Sequence, residues 1–135
     1  MALIRIDAKP FNSDKPYFIV KPTGTLFDAA INLQLEMVEQ DELPENGGVI
    51  EIFKKQKQLV DDIEKFLKKV LGLTSKQYKD FNEANEKETV MTYTSYVVAM
   101  LQGYTEGTFE EFLKGINDIN EDETDPKEDQ SKSEN

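Results

Sequence analysis

The spacing with the most chemical promise lies near the C-terminus. Asp118, Asn120, Asp122 and Thr124 stand at positions 1, 3, 5 and 7 of a would-be EF-hand loop, where oxygen ligands would surround a Ca²⁺ ion. The remainder of the pattern argues against that chemistry. Glu123 stands where the loop needs Gly for its sharp turn, Asp129 replaces the bidentate Glu, Pro126 interrupts, and no apolar exit helix follows. The cluster reads as chance spacing in an acidic segment. Glu121, Asp122 and Glu123 fall in the same segment, whereas a general acid/base pair needs rigid placement.

Other chemistry is excluded by residue type. The chain has no His and no Cys, which removes the imidazole base, the thiolate nucleophile, the disulfide, the Fe–S cluster and the zinc knuckle. Gly47-Gly48 precedes a helix start, but no phosphate-cradling GxxxxGK[ST] follows. Lys54, Lys55, Lys57, Lys65, Lys68 and Lys69 are interleaved with Glu51, Asp61, Asp62 and Glu64, so they form a salt-bridged helix face and not a basic patch. No catalytic residue, metal site or cofactor is expected, and the composition leans towards protein binding.

The residues best suited to that task are aromatic. Tyr93, Tyr96, Met100 and Tyr104 recur at i, i+3, i+7 and i+11, beside a core face of Val90, Val97, Val98 and Leu101. Tyrosine and methionine supply contact area with a polar tip or an adaptable thioether, so the row is a candidate surface for a protein partner or for self-association. Phe109 and Phe112 are second candidates. The competing reading is a central helix buried nearly all round.

The elements that must position these residues follow from pattern and turn chemistry. Leu3–Asp7 and Tyr17–Lys21 are rich in β-branched and aromatic residues, and Lys9–Pro16 between them is a loop composition, so residues 1–25 form an extended segment with an antiparallel pair. A helical body is expected over 26–117. Its first helix is capped by Thr25 and carries Leu26, Phe27, Ala30, Ile31, Leu35 and Val38 at helical spacing, with Leu33 and Met37 partly off that stripe. A loop over 42–48 precedes a long helix from Val49 to Leu71, ended by Gly72. Thr74-Ser-Lys-Gln77 is a capping box opening a short helix that Asn82–Asn85 interrupts. Another helix spans Lys87–Gln102, Gly103 ends it, and Thr108-Phe-Glu-Glu111 caps a last short helix.

Charge divides the chain. The formal charge is −11, of which 118–135, with eight acids and two lysines, carries −6. That tail has no apolar residue after Ile119 and is expected to be disordered. The fold class is therefore mainly α: a small helical domain with a short N-terminal strand pair and an acidic tail. Free nucleic acid is a poor partner, since Arg5 is the only arginine and phosphate binding depends on Lys and Arg. No apolar run approaches the ~20 residues of a membrane span, and the N-terminus lacks a signal-peptide pattern, so a cytoplasmic protein is expected.

Two stretches, Phe66-Leu-Lys-Lys-Val-Leu-Gly-Leu-Thr-Ser-Lys-Gln-Tyr78 and Tyr96-Val-Val-Ala-Met-Leu-Gln-Gly-Tyr-Thr-Glu106, together with the order of elements over roughly 50–135, resemble the tail assembly chaperones of long-tailed phages and prophages of Gram-positive hosts. The resemblance implies a small, acidic, helical, non-catalytic protein of the host bacterial cytoplasm. It implies binding to the tape measure protein, which is kept soluble until the tail tube polymerises around it. It also implies self-association and a longer form made by a ribosomal frameshift; Asp125-Pro126-Lys127 permits a slippery C-CCA-AAG in the gene. The alternative is an acidic DNA mimic or other protein-binding inhibitor, which would need ordered carboxylates on a folded face.

Overall fold

The computed structural model describes residues 2–40 and 48–117. The acidic tail, its EF-hand-like spacing and Asp125-Pro126-Lys127 lie outside the described residues, as does most of the 42–48 loop. In chain order the elements are β1 (Ile4–Asp7), a 3₁₀ turn (Lys9–Phe11), β2 (Tyr17–Val20), α1 (Gly24–Gln40), α2 (Val49–Leu71), α3 (Ser75–Ala84) and α4 (Lys87–Gln102). A further helix, α5, occupies 109–117. The architecture is mainly α with an N-terminal strand pair, as the periodicity predicts.

The strands pair antiparallel, with Ile4 opposite Val20 and Asp7 opposite Tyr17. Two strands are marginal alone, and here β1 packs on α4 and β2 on α2. The connecting segment is not plain loop. Lys9-Pro10-Phe11 makes a 3₁₀ turn ended by Asn12 in the left-handed region at φ 52°. Proline's fixed φ suits the start of such a turn, and asparagine tolerates its left-handed end. The turn drives Phe11 inward to stack on Phe81 at 4.2 Å and to meet Tyr93 edge-on at 5.6 Å.

Helix ends follow the predicted turn chemistry closely. In α3 the Thr74 side chain accepts from the Gln77 amide and Gln77 accepts from the Thr74 amide. Thr108 and Glu111 make the same reciprocal pair before α5. Gly72 closes α2 in the left-handed region at φ 69°, and the Leu73 amide also reaches the Lys68 carbonyl, which seats Leu73 in the core. Two expectations need correction. Thr23, not Thr25, caps α1, accepting from the Leu26 amide through its hydroxyl and from the Phe27 amide through its carbonyl. Helix α3 also runs on through Asn82 to Ala84, because Phe81 is anchored in the aromatic cluster and Asn85 donates to the Phe81 and Pro10 carbonyls beyond it.

The core is assembled around α4. Val90, Tyr93, Thr94, Tyr96, Val97, Val98, Met100 and Leu101 are all buried there, against Ile63, Phe66 and Leu67 of α2, Leu33 of α1 and Ile6 of β1. Helix α1 lies against both α2 and α4. Its buried side is rotated from the expected one: Leu26 and Ala30 of the expected set turn inward, but the rest of that set does not. Ala30 and Leu33 are buried with Leu26 and Met37 packed beside them, a second stripe at i, i+4, i+7 and i+11. Phe27, Ile31, Leu35 and Val38 instead face outward.

Candidate functional site

The predicted Tyr/Met row does not form one surface. Tyr93 and Tyr96 are each 0% exposed, Met100 and Phe109 are buried, Phe112 is half-buried, and Tyr104 alone, at 79% exposure, presents its ring to solvent. The reason is that the two inner phenols find partners inside. The Tyr93 hydroxyl donates to the Asp7 carbonyl at 2.6 Å, while the Tyr96 hydroxyl donates to the Gly107 carbonyl at 2.6 Å and accepts from the Asp7 amide at 3.0 Å. A buried tyrosine needs such a partner for its hydroxyl. Burial, with Tyr96 and Asp7 adding, raises the Tyr93 phenol far above its ordinary pKa, so it stays a neutral donor.

Asp7, which no motif singles out, is the hub of this network. It is buried, and its carboxylate accepts from the Lys9 amide and from the Phe109 amide, the first of α5. A carboxylate at a helix N-terminus satisfies an otherwise orphaned donor and meets the positive end of the helix dipole. One residue thereby ties the strand pair, α4 and α5 together. Tyr93 and Tyr96 add ring contacts to Phe109 at 5.3 and 5.7 Å. These contacts hold the strand pair, α4 and α5 together.

Exposed apolar side chains lie elsewhere, on α1. Phe27, Ile31, Leu35 and Val38 form an exposed stripe along α1 at i, i+4, i+8 and i+11. Beside it, an open groove of about 410 Å³ is lined by Met37 and Val38 of α1, Leu59 of α2, Met91 and Val98 of α4, and the exposed Tyr104. Gln34 and Gln102 bridge the α1–α4 side of this groove at 2.9 Å, and the second amide oxygen atom there, Oε1 of Gln102, is buried without a partner among the described residues. The named lining side chains other than the two glutamines are mostly apolar. An exposed apolar stripe beside an apolar groove is the candidate surface for binding a partner.

The electrostatics of α1 are one-sided. The helix carries Asp28, Glu36 and Glu39 and no basic residue. Glu36 faces Asp62 of α2; burial, the hydrogen bond shared with Asp62, and the negative charge of Asp62 and Glu39 push its carboxyl up to about 7. Gln58 offers the pair one donor, to Asp62 at 2.9 Å. Among the described residues no cluster of three or more Asp or Glu has a geometry that could hold a metal ion, and no helix is long and apolar enough to cross a membrane. Sequence reasoning missed the outer α1 stripe as a site because its residues were assigned to the core; the signal available was the second, parallel stripe of Leu26, Ala30, Leu33 and Met37.

No curated protein and no solved structure matches this chain. A family model described as phage tail assembly chaperone proteins matches residues 14–116. That span takes in β2 and all of the helices up to α5, wider at the N-terminal side than the resemblance read from 50–135, and it stops short of the acidic tail. With most of its folded body inside the match, the chain belongs to the phage tail assembly chaperone family.

Proposed function

We propose that the protein is a non-catalytic chaperone in the host bacterial cytoplasm that binds the tape measure protein and keeps it soluble during tail assembly. The observation that carries this reading is the outward-facing stripe of Phe27, Ile31, Leu35 and Val38 continuous with the apolar groove at Val38. An amphipathic client helix can lay its apolar face into such a groove, anchored at i, i+4 and i+7 spacings. Tyr104 stays in the candidate binding set as an exposed wall of the groove.

The same reading includes self-association and pairing with a frameshift-extended form as further partners. The test is co-expression with the tape measure protein. Leu35→Asp/Val38→Asp chains are expected to fold normally and to leave the client in the insoluble fraction, where the wild type retains it in solution. Equal client solubility with this variant and the wild type would remove the α1 face from the mechanism.

A further inference from the structure

The outer surface of α1 is not symmetric about its apolar stripe. Phe27, Ile31, Leu35 and Val38 centre on one line along the helix. At about 100° per residue, Asp28 and Glu39 lie about 65° and 85° to one side of that line, and Gln34 about 55° to the other. Gln34 bonds to Gln102, so its side faces α4 and the groove, whose lining residues are all uncharged. Glu36, further round the acidic side, faces Asp62, so that side borders α2. Asp28 and Glu39 are exposed, and among the described residues neither pairs with a lysine or arginine. Burial and the hydrogen bond with Asp62 raise the Glu36 carboxyl, the negative charges of Asp62 and Glu39 raise it further, and no lysine among the described residues offsets them. The stripe thus has one acidic edge and one uncharged edge.

Apolar burial rewards any amphipathic helix laid on the stripe, so it gives affinity without choosing among clients. Fixed charges at the rim make the choice, because like charges brought together are penalised and opposite charges are not. A helix on this stripe sets one of its edges over Asp28 and Glu39 and the other over the uncharged groove. We infer that the surface selects, among amphipathic helices, those with basic residues along one edge and uncharged residues along the other. That selection rests on the client reading above and adds the chemistry of the segment bound. Counted from Phe27, Asp28 and Glu39 stand at i+1 and i+12, with the polar Asn32 at i+5 between them. A complementary client carries its bases at the same intervals from its own apolar stripe. Lysine suits the position, since its apolar stem can lie along the stripe while its ammonium group reaches the carboxylates. Apolar segments with acidic edges are passed over.

Titrating the full chain with three synthetic helices tests this. All carry leucines at i, i+4, i+8 and i+11 and serines along one edge. The other edge, at i+1, i+5 and i+12, carries lysine, glutamine or glutamate. At about 0.05 M salt the lysine helix is expected to bind at least about fivefold more tightly than the glutamate helix, with glutamine between them. The gap should narrow at about 0.5 M salt. Asp28→Lys/Glu39→Lys is expected to reverse the order. Asp14→Lys/Glu83→Lys, which changes the net charge equally at exposed positions away from α1, is expected to keep it. Equal affinity of the wild type for all three helices, or reversal by the control variant as well, overturns the selection and leaves the client reading standing. Binding of none of the three also overturns it. In that case, client solubility lost in Leu35→Asp/Val38→Asp keeps the chaperone reading, and solubility kept in that variant removes the α1 face and the selection together.

Discussion

Helices α4 and α1 are both rich in apolar side chains at helical spacing, yet they play opposite parts. Helix α4 is buried on almost every side, and its two inner tyrosines end on backbone groups contributed by β1 and by the turn before α5. Helix α1 buries one stripe and leaves the neighbouring one in water. Apolar content does not separate a core helix from a binding helix. The separation comes from whether the rest of the chain supplies partners for the second face, and above all for its polar tips.

The sharpest way to break this contrast is on the α4 side. Tyr93→Ala empties a fully enclosed site and removes the Asp7 contact, and is expected to cost about 3–5 kcal/mol, enough to unfold much of a small domain in urea titrations. Tyr93→Phe keeps the ring and leaves the Asp7 carbonyl unpaired, for an expected loss of about 1–3 kcal/mol. Asp7→Ala removes the acceptor for the Phe109 amide; a loss of about 1–2 kcal/mol is expected, with hydrogen exchange of the first amides of α5 accelerating before those of α4.

Changes on the exposed stripe of α1 should register in binding and hardly at all in stability. Leu35→Asp, at an exposed position, is expected to shift stability by no more than about 0.5 kcal/mol while lowering client retention severalfold, checked by melting curves beside co-purification. The mildest effect is electrostatic. Because the folded-state carboxyl of Glu36 lies near pH 7, above its ordinary value of 4.5, its contribution to the folded state is fully present below about pH 4.5 and is lost as pH rises through 7. Glu36→Gln should therefore flatten the stability profile between those values and raise stability at pH 8 by about 1 kcal/mol or less, since the pair is partly open to solvent. A profile unchanged by the substitution would show that Asp62 does not crowd Glu36.

Much of the fold is legible in the sequence because its signals are local. Thr74 with Gln77 and Thr108 with Glu111 are three residues apart, Gly72 and Gly103 directly follow the helices they end, and all four behave as their residue types dictate. The candidate site is less legible because its logic is not local. Tyr93 and Tyr96 look like interface residues until Asp7, 86 and 89 positions away, accepts from one hydroxyl and donates to the other. Which of the two α1 stripes turns inward is decided by where α2 and α4 lie, and Leu26, Ala30, Leu33 and Met37 are the ones that pack on the core. Periodicity locates a broad apolar face and cannot choose its centre.

The central claim, that a client docks on the outer face of α1, is tested most directly by site-specific photo-crosslinking. A photoreactive side chain at Leu35 is expected to capture the co-expressed tape measure protein, while one at Lys79, exposed on α3, captures none. Capture from Lys79 with none from Leu35 would contradict the account.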